Sequence, residues 1–472
     1  MISRLTTIQL LIGLSLVLNF SAKAQQSRTL FFMHELPQSA YANPAIQPNC
    51  KWFIGIPALS SLYVNASSTG FSYDNLSSGG EYIDAEAIAK KLHSIDFLTS
   101  EMQVNLISLG YKRNDYYYSF NITEKVDAKI FYPKGLVNLA VYGNDELIGK
   151  KMFTKGLGIY GIHYREYSFG IAQNFESYFL WGLKGKLLFG KANLTTKHGA
   201  ISLTTEQNTY DLLAEWSYQF NASFPLDIPS STNNIDIESI GIGDINPVNY
   251  LLNPNNIGLA FDYGFVYIDE KISWAASILD FGVIRWRSDA HQFNNNGSLA
   301  FDGITVDDIL NPNEFLEMIR DSINNQTLVS HSQGSYLTML PTKLNFGATY
   351  EFHPKFNAGV LFRTEFYPRR PVPSLTLSLN TIRLKNFVGS LSYSLMNGSY
   401  NNVGLGLGFG FQNLFCHVIS DNLSAFIAPH KVHTANLRFG IHLLLGCSKK
   451  ANRLPYTGPG CYWDHEKTKR KK

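Results

Sequence analysis

The sequence predicts an all-β protein: an antiparallel up-and-down transmembrane β-barrel of roughly 14 strands. Three observations carry this expectation. They are an export signal at the N-terminus, strand-length segments that alternate apolar with polar residues, and a composition rich in aromatic residues and glycine but poor in charge. Of 472 residues only 16% are charged, while 14% are aromatic, with 26 Tyr, 32 Phe and 37 Gly; ordinary soluble domains carry roughly 25% charged residues. Mean hydropathy is -0.09. Beyond the leader there is no run of the ~18 apolar residues that a spanning helix needs, which excludes a helical membrane protein. A barrel stays open, because its lipid face is diluted by a polar lumen face. The net charge of +3 gives no reason to expect a nucleic-acid partner.

The leader comes first. Arg4 supplies a positive start, Ile8 to Phe20 an apolar core, and Ala22-x-Ala24 the small residues at a cleavage site, so cleavage is expected near Ala24. The apolar core is shorter than a membrane anchor requires, and no Cys follows it to take a lipid. The expected organisation is a signal peptide over 1–24 and an N-terminal plug or periplasmic segment over 25–50. An outer-membrane barrel follows over 51–446 and a basic tail over 447–472.

The alternation is clearest in the C-terminal third. Leu344, Phe346, Ala348 and Tyr350 share one face, opposite Asn345, Gly347, Thr349 and Glu351. After His353-Pro354-Lys355 the pattern resumes through Phe356, Ala358, Val360 and Phe362, and it recurs at Leu375–Leu379, Val403–Phe411 and Ala435–Leu445. A period of two puts one apolar and one polar face on each strand, and segments of about 9–11 residues cross a bilayer when tilted. Ile257 to Tyr267 and Ile272 to Ile278 form a similar pair around Asp269-Glu270-Lys271. Residues 104–112, 116–122, 156–164, 167–174, 181–193 and 210–221 also read as strands, with 156–174 a hairpin. Three stretches depart from the pattern. Residues 84–93 read as a short helix capped by Asp84, 224–256 as a long loop, and 288–335 as a longer excursion with a helix over 307–323. In barrels such excursions are extracellular loops or lumen plugs.

Candidate residues follow from the polar faces. Asp262, Glu351, Arg363, Glu365 and Arg438 should point into the lumen. They could polarise a ligand or conduct ions, but interior ion pairs that tie strands and plug together fit better, because unpaired charge in a closed lumen is costly. Of the 4 Cys, Cys447 and Cys461 flank a Gly/Pro-rich stretch and could pair, Cys416 reads as a small strand residue, and Cys50 has no obvious partner. No zinc spacing, HExxH, GxSxG or GxxxxGK[ST] motif is present, so no metal, cofactor or enzymatic activity is expected. The alternating glycines Gly404–Gly410 leave room for a plug or a close neighbour.

Several stretches carry a family resemblance: HELPQSAYANPAIQPNCKWFIGIPALS after the leader, then GLVNLAVYGN, LPTKLNFGATYEF, FRTEFY and YNNVGLGLGFGF…VISDNL. Together they resemble the DUF5723 family of exported Bacteroidetes proteins. More distantly, Asn43-Pro44-Ala45 is similar to the triplet of the FadL-like barrels, the group that includes long-chain fatty-acid transporters and the shuttle barrel of type IX secretion. There the N-terminal segment occludes the barrel. The resemblance implies an outer-membrane location and a transport or channel role for hydrophobic or small molecules. The alternatives are a docking barrel for secretion or surface machinery, and a soluble exported β-sandwich. The implied partners are outer-membrane lipid, the barrel-assembly machinery during biogenesis, and a hydrophobic ligand or a secretion component.

Overall fold

The computed structural model describes residues 28–48, 50–71, 85–143, 148–175, 178–208, 211–228, 241–243, 246–301, 327–367, 371–382, 384, 386–396, 399–428 and 432–447. The leader, Asp84, the 307–323 helix and the tail beyond Cys447 lie outside the described residues. The strands are β1 Cys50–Gly55, β2 Leu62–Ser68, β3 Ile95–Arg113, β4 Tyr116–Pro133, β5 Lys151–Lys155, β6 Gly158–Phe175, β7 Phe179–Thr205 and β8 Leu212–Ser223. There follow β9 Leu226–Asp227, β10 Gly241–Ile242, β11 Asn256–Asp269, β12 Ile272–Trp286, β13 Ala290–Phe301, β14 Thr327–Gln333, β15 Tyr336–Met339 and β16 Thr342–His353. The last are β17 Phe356–Phe366, β18 Pro371–Thr381, β19 Phe387–Met396, β20 Ser399–Phe411, β21 Leu414–Ser420 and β22 Thr434–Cys447.

Every pairing around the wall is antiparallel. β1 and β2 are two halves of one wall strand, as are β15 and β16. The order runs β1/β2, β3, β4, β6, β7, β11, β12, β15/β16 and then β17 to β22, which pairs back onto β1 and β2. The result is a closed barrel of 14 strands. Closure removes the unpaired edges that an open sheet would present. Turns at one end are short, as between Arg113 and Tyr116 or Phe411 and Leu414; the long excursions cluster at the other end.

The wall is inverted relative to a soluble protein. On β16 Phe346 is 54% exposed and its neighbour Asn345 3%; on β11 Leu259 is 66% exposed and Asp262 3%. A sandwich buries its apolar face. This barrel turns that face outward and encloses its Asn, Ser, Thr and charged residues, which only a hydrophobic solvent makes favourable.

Several strand expectations need correction. The supposed 156–174 hairpin is one continuous strand, β6, because Arg165-Glu166 stays in the ladder against Glu124 and Thr123 of β4. β3 and β4 run 19 and 18 residues, well past the alternating stretches read from the sequence. β7 runs 27 residues. Its lower half pairs with β11 and its upper half with β8, which carries β13 and then β14. The 288–335 excursion is thus partly sheet, an apron that extends the wall beyond the barrel. Its Asn-rich β13 (AHQFNNNGSLAF) reads as loop by propensity, and the ladder overrides that preference. The 224–256 segment holds the small β9–β10 pair and a helix, Pro247–Leu252, whose Asn246 cap accepts from Val248 N and Asn249 N. The 84–93 helix spans Ala85–Lys91, and a second helix, Lys134–Tyr142, lies within GLVNLAVYGN.

The cysteine pairing also differs from expectation. Cys50 opens β1 directly opposite Cys447 at the end of β22, and the two form a disulfide. Cys447 is therefore taken by Cys50, while Cys461 lies outside the described residues. The register of first strand on last brings the two together across 397 residues, which sequence spacing cannot reveal. Cys416 is a free thiol on β21.

Candidate functional site: the occupied lumen

Residues 28–48, a helix Arg28–Phe32 followed by a 3-10 turn Pro37–Tyr41, are largely buried against residues of the wall strands. At the start, the Asp421 carboxylate accepts from Arg28 N at 3.3 Å, Thr29 N at 2.8 Å and Thr29 Oγ1 at 2.6 Å. Arg28 Nε donates to Ser374 Oγ at 3.2 Å. Burial pulls the Arg28 pKa down to about 10, which leaves it charged at neutral pH. In the middle, Gln38 Nε2 donates to Ser60 O and sits 3.2 Å from His442 Nδ1. At the end, the Ala42 carbonyl accepts from Ser277 and Asn345 at 2.7 and 3.0 Å. Asn43 donates to Phe265 O and takes Ala45 N on its own oxygen, a local Asx turn. Phe31, Phe32, Ala45 and Ile46 pack on Leu180, Val266, Ile268 and Leu361, while Leu30, Met33 and Leu36 pack on Val388 and Ile419.

The wall admits this segment through glycines. A Cβ on Gly182 would stand 2.1 Å from Pro44 O, and one on Gly264 2.2 Å from Asn43 Oδ1. Thr29 and Met33 likewise lie against Gly404 and Gly406. Gly182→Ala should therefore unseat the Asn43-Pro44-Ala45 turn while leaving the outward face of β7 intact. Protease cleavage within 40–48 should rise several-fold, and unchanged cleavage would refute the contact.

Above the segment lies a charged belt. Lys186 reaches Asp280 at 2.6 Å, Asp262 at 2.7 Å and Glu166 at 3.6 Å. Lys125 reaches Glu166 at 2.7 Å and Asp280 at 3.3 Å, and Lys343 reaches Asp280 at 3.0 Å and Glu365 at 3.8 Å. Of the sequence candidates, Asp262, Arg363 and Arg438 meet around one small cavity here, with Glu365 behind Lys343. Arg363 Nη1 donates to Asn345 at 3.1 Å; Arg438 Nη1 donates to Ser61 at 2.7 Å and stacks over Tyr63. Glu351 is buried near the β16–β17 turn, opposite Asn357, apart from the belt. Sequence reading passed over the lysines, Glu166 and Asp280. Lys184 and Lys186 alternate with Leu183, Gly185 and Leu187 and were accessible to the period-two rule. Glu166 was hidden by the imagined turn. Asp280 was hidden by a bulge: its φ is +55°, and both Leu279 and Asp280 are buried, so the phase of β12 flips there.

Higher still the lumen is aromatic. Phe97, Phe131, Tyr160, Tyr164, Trp286, Tyr336 and Tyr367 form one buried cluster, and Phe97 meets Tyr367 of the far wall at 5.8 Å. Lys129 inserts here between Glu101 and Asp127, with its ammonium over the Tyr367 ring. Beside this cluster, where β8 leaves β7, an apolar cavity of about 520 Å³ is lined by Val126, Ile162, Leu194, Phe220, Leu226 and Phe293 among others. Among the described residues no three His, Cys, Asp or Glu side chains gather as metal ligands.

His34 gives the segment a pH dependence. Burial lowers its pKa to about 4, with Nε2 enclosed and unpartnered. A released segment would titrate near 6.5. Between these values the released form binds a proton that the seated form refuses, so seating weakens as pH falls from about 6.5 to about 4 and is insensitive to His34 above that window. The protection factors of the amides across 28–48, taken relative to intrinsic exchange at each pH, should fall from pH 7.5 to pH 5, and His34→Gln should flatten that response.

The chain was compared with known proteins. The model of a family of unknown function, DUF5723, matches residues 44–421. Among curated proteins none matches significantly. Among solved structures, a Pseudomonas aeruginosa FadL homologue is similar at 11% identity, covering 91% of this chain and 100% of that one, with a TM-score of 0.38. The Pseudomonas putida toluene transporter TodX is similar at 8% identity, covering 89% and 93%, with a TM-score of 0.34. A TodX deltaS2S3 mutant, a monoaromatic hydrocarbon channel, is similar at 8% identity, covering 90% and 96%, with a TM-score of 0.41. The barrel itself stands on the chain's own hydrogen-bond ladder.

Proposed function

This chain belongs to the DUF5723 family, whose function is unknown, and from that premise we propose that it is an outer-membrane transport barrel for small hydrophobic molecules, held closed by its own N-terminal segment. It acts as a passage and not as an enzyme. The observation that carries the reading is how residues 28–48 fill the lumen. They are seated by carbonyls, amides and apolar side chains, and by two charged groups of the wall, Asp421 and Lys184, among the described residues. Withdrawal would part Arg28 from Asp421 and Lys184 from the Ala40 carbonyl, a cost that holds the gate shut until a ligand or partner offsets it. The apolar cavity at the β7–β8 fork is of the size that takes a small ligand. Cleavage near Ala24 would leave a free end just before Arg28, and an apolar outer wall needs the lipid that an exported barrel meets.

Purification from native membranes, read for both bound lipids and bound proteins, tests the proposal. A small hydrophobic compound retained in near-stoichiometric amount supports it; recovery of the chain from the soluble periplasm sinks it. Co-purification with a secretion component at near-equal amounts would favour docking instead, for which the apron of β8, β13 and β14 offers a surface.

A further inference from the structure

We infer that the lumen contains a binding site for one small oxyanion, set between the N-terminal segment and the charged belt. The inference rests on a cavity of about 40 Å³ beside Tyr41. Six basic side chains line it against three acidic ones, Glu166, Asp262 and Asp280. Lys125, Lys186 and Lys343 already share those carboxylates. Lys184 and Arg363 have no carboxylate within ion-pair distance among the described residues. The Lys184 ammonium has three donors, and the Ala40 carbonyl takes one at 2.5 Å. The Arg363 guanidinium bonds Asn345 through Nη1, while its Nε is enclosed without a partner. An excess of buried positive charge is expensive unless it is compensated, and an anion in the cavity would compensate it.

The chemistry and the size select the ligand. Guanidinium and ammonium groups lining one cavity suit an oxyanion, and ~40 Å³ holds a few waters or one ion of phosphate or sulfate size, not an acyl chain or a nucleotide. Lys184 bonds the segment at Ala40 and lies under the Tyr41 ring at 5.2 Å. A bound oxyanion would therefore join wall to segment and tighten the closed state. This last consequence rests on the gating reading; the binding itself does not.

Selenate is a suitable probe, being tetrahedral and anomalously scattering. Titrated calorimetrically into the full chain in detergent, at constant ionic strength with gluconate as the balancing anion, it should bind saturably at one site. Lys184→Met should weaken binding about ten-fold or more, and the exposed Lys155→Met should leave it unchanged. Crystals of the wild-type chain soaked in selenate should show a selenium peak between Lys184 and Arg363, a readout that survives even if Lys184→Met does not fold. Absence of saturable heat, equal affinity in Lys184→Met, or no selenium in the cavity overturns the site. Bound hydrophobic compounds, which test the transport reading, are measured separately, so either idea can fail alone.

Discussion

Asp280→Ala should destabilise the barrel by about 3–5 kcal/mol, the usual cost of stripping one partner from a buried ion cluster. Among the described residues Asp280 is the one carboxylate in contact with Lys125, Lys186 and Lys343 at once, at 3.3, 2.6 and 3.0 Å. Its own N–H donates to Asp262 Oδ1 at 2.7 Å, so the bulge and the cluster are one construction. Removing the side chain leaves three buried ammonium groups on the remaining acids. The temperature at which the folded, fast-migrating form is lost in SDS gels should drop accordingly. A compensating Lys343→Met in the same chain should restore part of the loss, since it removes one of the stranded cations. An unchanged transition in the single variant would mean that the belt is solvated and carries little energy.

Asp421→Ala should free the start of the N-terminal segment. The carboxylate accepts three hydrogen bonds from Arg28 and Thr29. Bonds to a charged acceptor are worth about 1.5–3 kcal/mol each, so a net weakening of about 3–5 kcal/mol is expected once neighbours relax. Hydrogen exchange should rise across 28–36 while the ladders of β16 to β19 stay protected. Asp421→Asn, which keeps an acceptor, should fall between. Equal protection in wild type and Asp421→Ala would show that the apolar contacts of Leu30, Met33 and Leu36 alone seat the segment.

The barrel was legible because period-two alternation is a local signal: Leu344 to Glu351 announces both faces of β16 without any knowledge of its neighbours. Strand ends were less legible. β3 and β4 extend beyond their alternating cores because each satisfies the other's backbone, a non-local gain that composition does not record. The Asn43-Pro44-Ala45 turn drew notice from its position in the chain, yet its contacts are with carbonyls and glycines more than 130 residues away, at Gly182, Gly264 and Phe265. The belt was half-visible. Lys186 obeys the alternation and only needed counting, whereas Asp280 violates it, and a bulge can be placed only once the partner strand is known. Pairing of Cys50 with Cys447 needs the closure of the whole ring, the most non-local fact in the molecule.

That bond changes what kind of object the chain is. With Cys50 joined to Cys447 the 397 residues of separation between them become a covalent loop. The backbone traces the barrel's circumference, and the sulfurs close that trace. Heat or denaturant can melt every ladder and still release only a closed ring, never a linear chain, until a reductant cuts it. The first strand cannot peel from the last, and the seam where an antiparallel cylinder must open to be built or dismantled is the seam that is sewn. Oxidation with β1 and β22 paired locks that seam. Once joined, the first and last wall strands are held at one stitched point, Cys50 on Cys447.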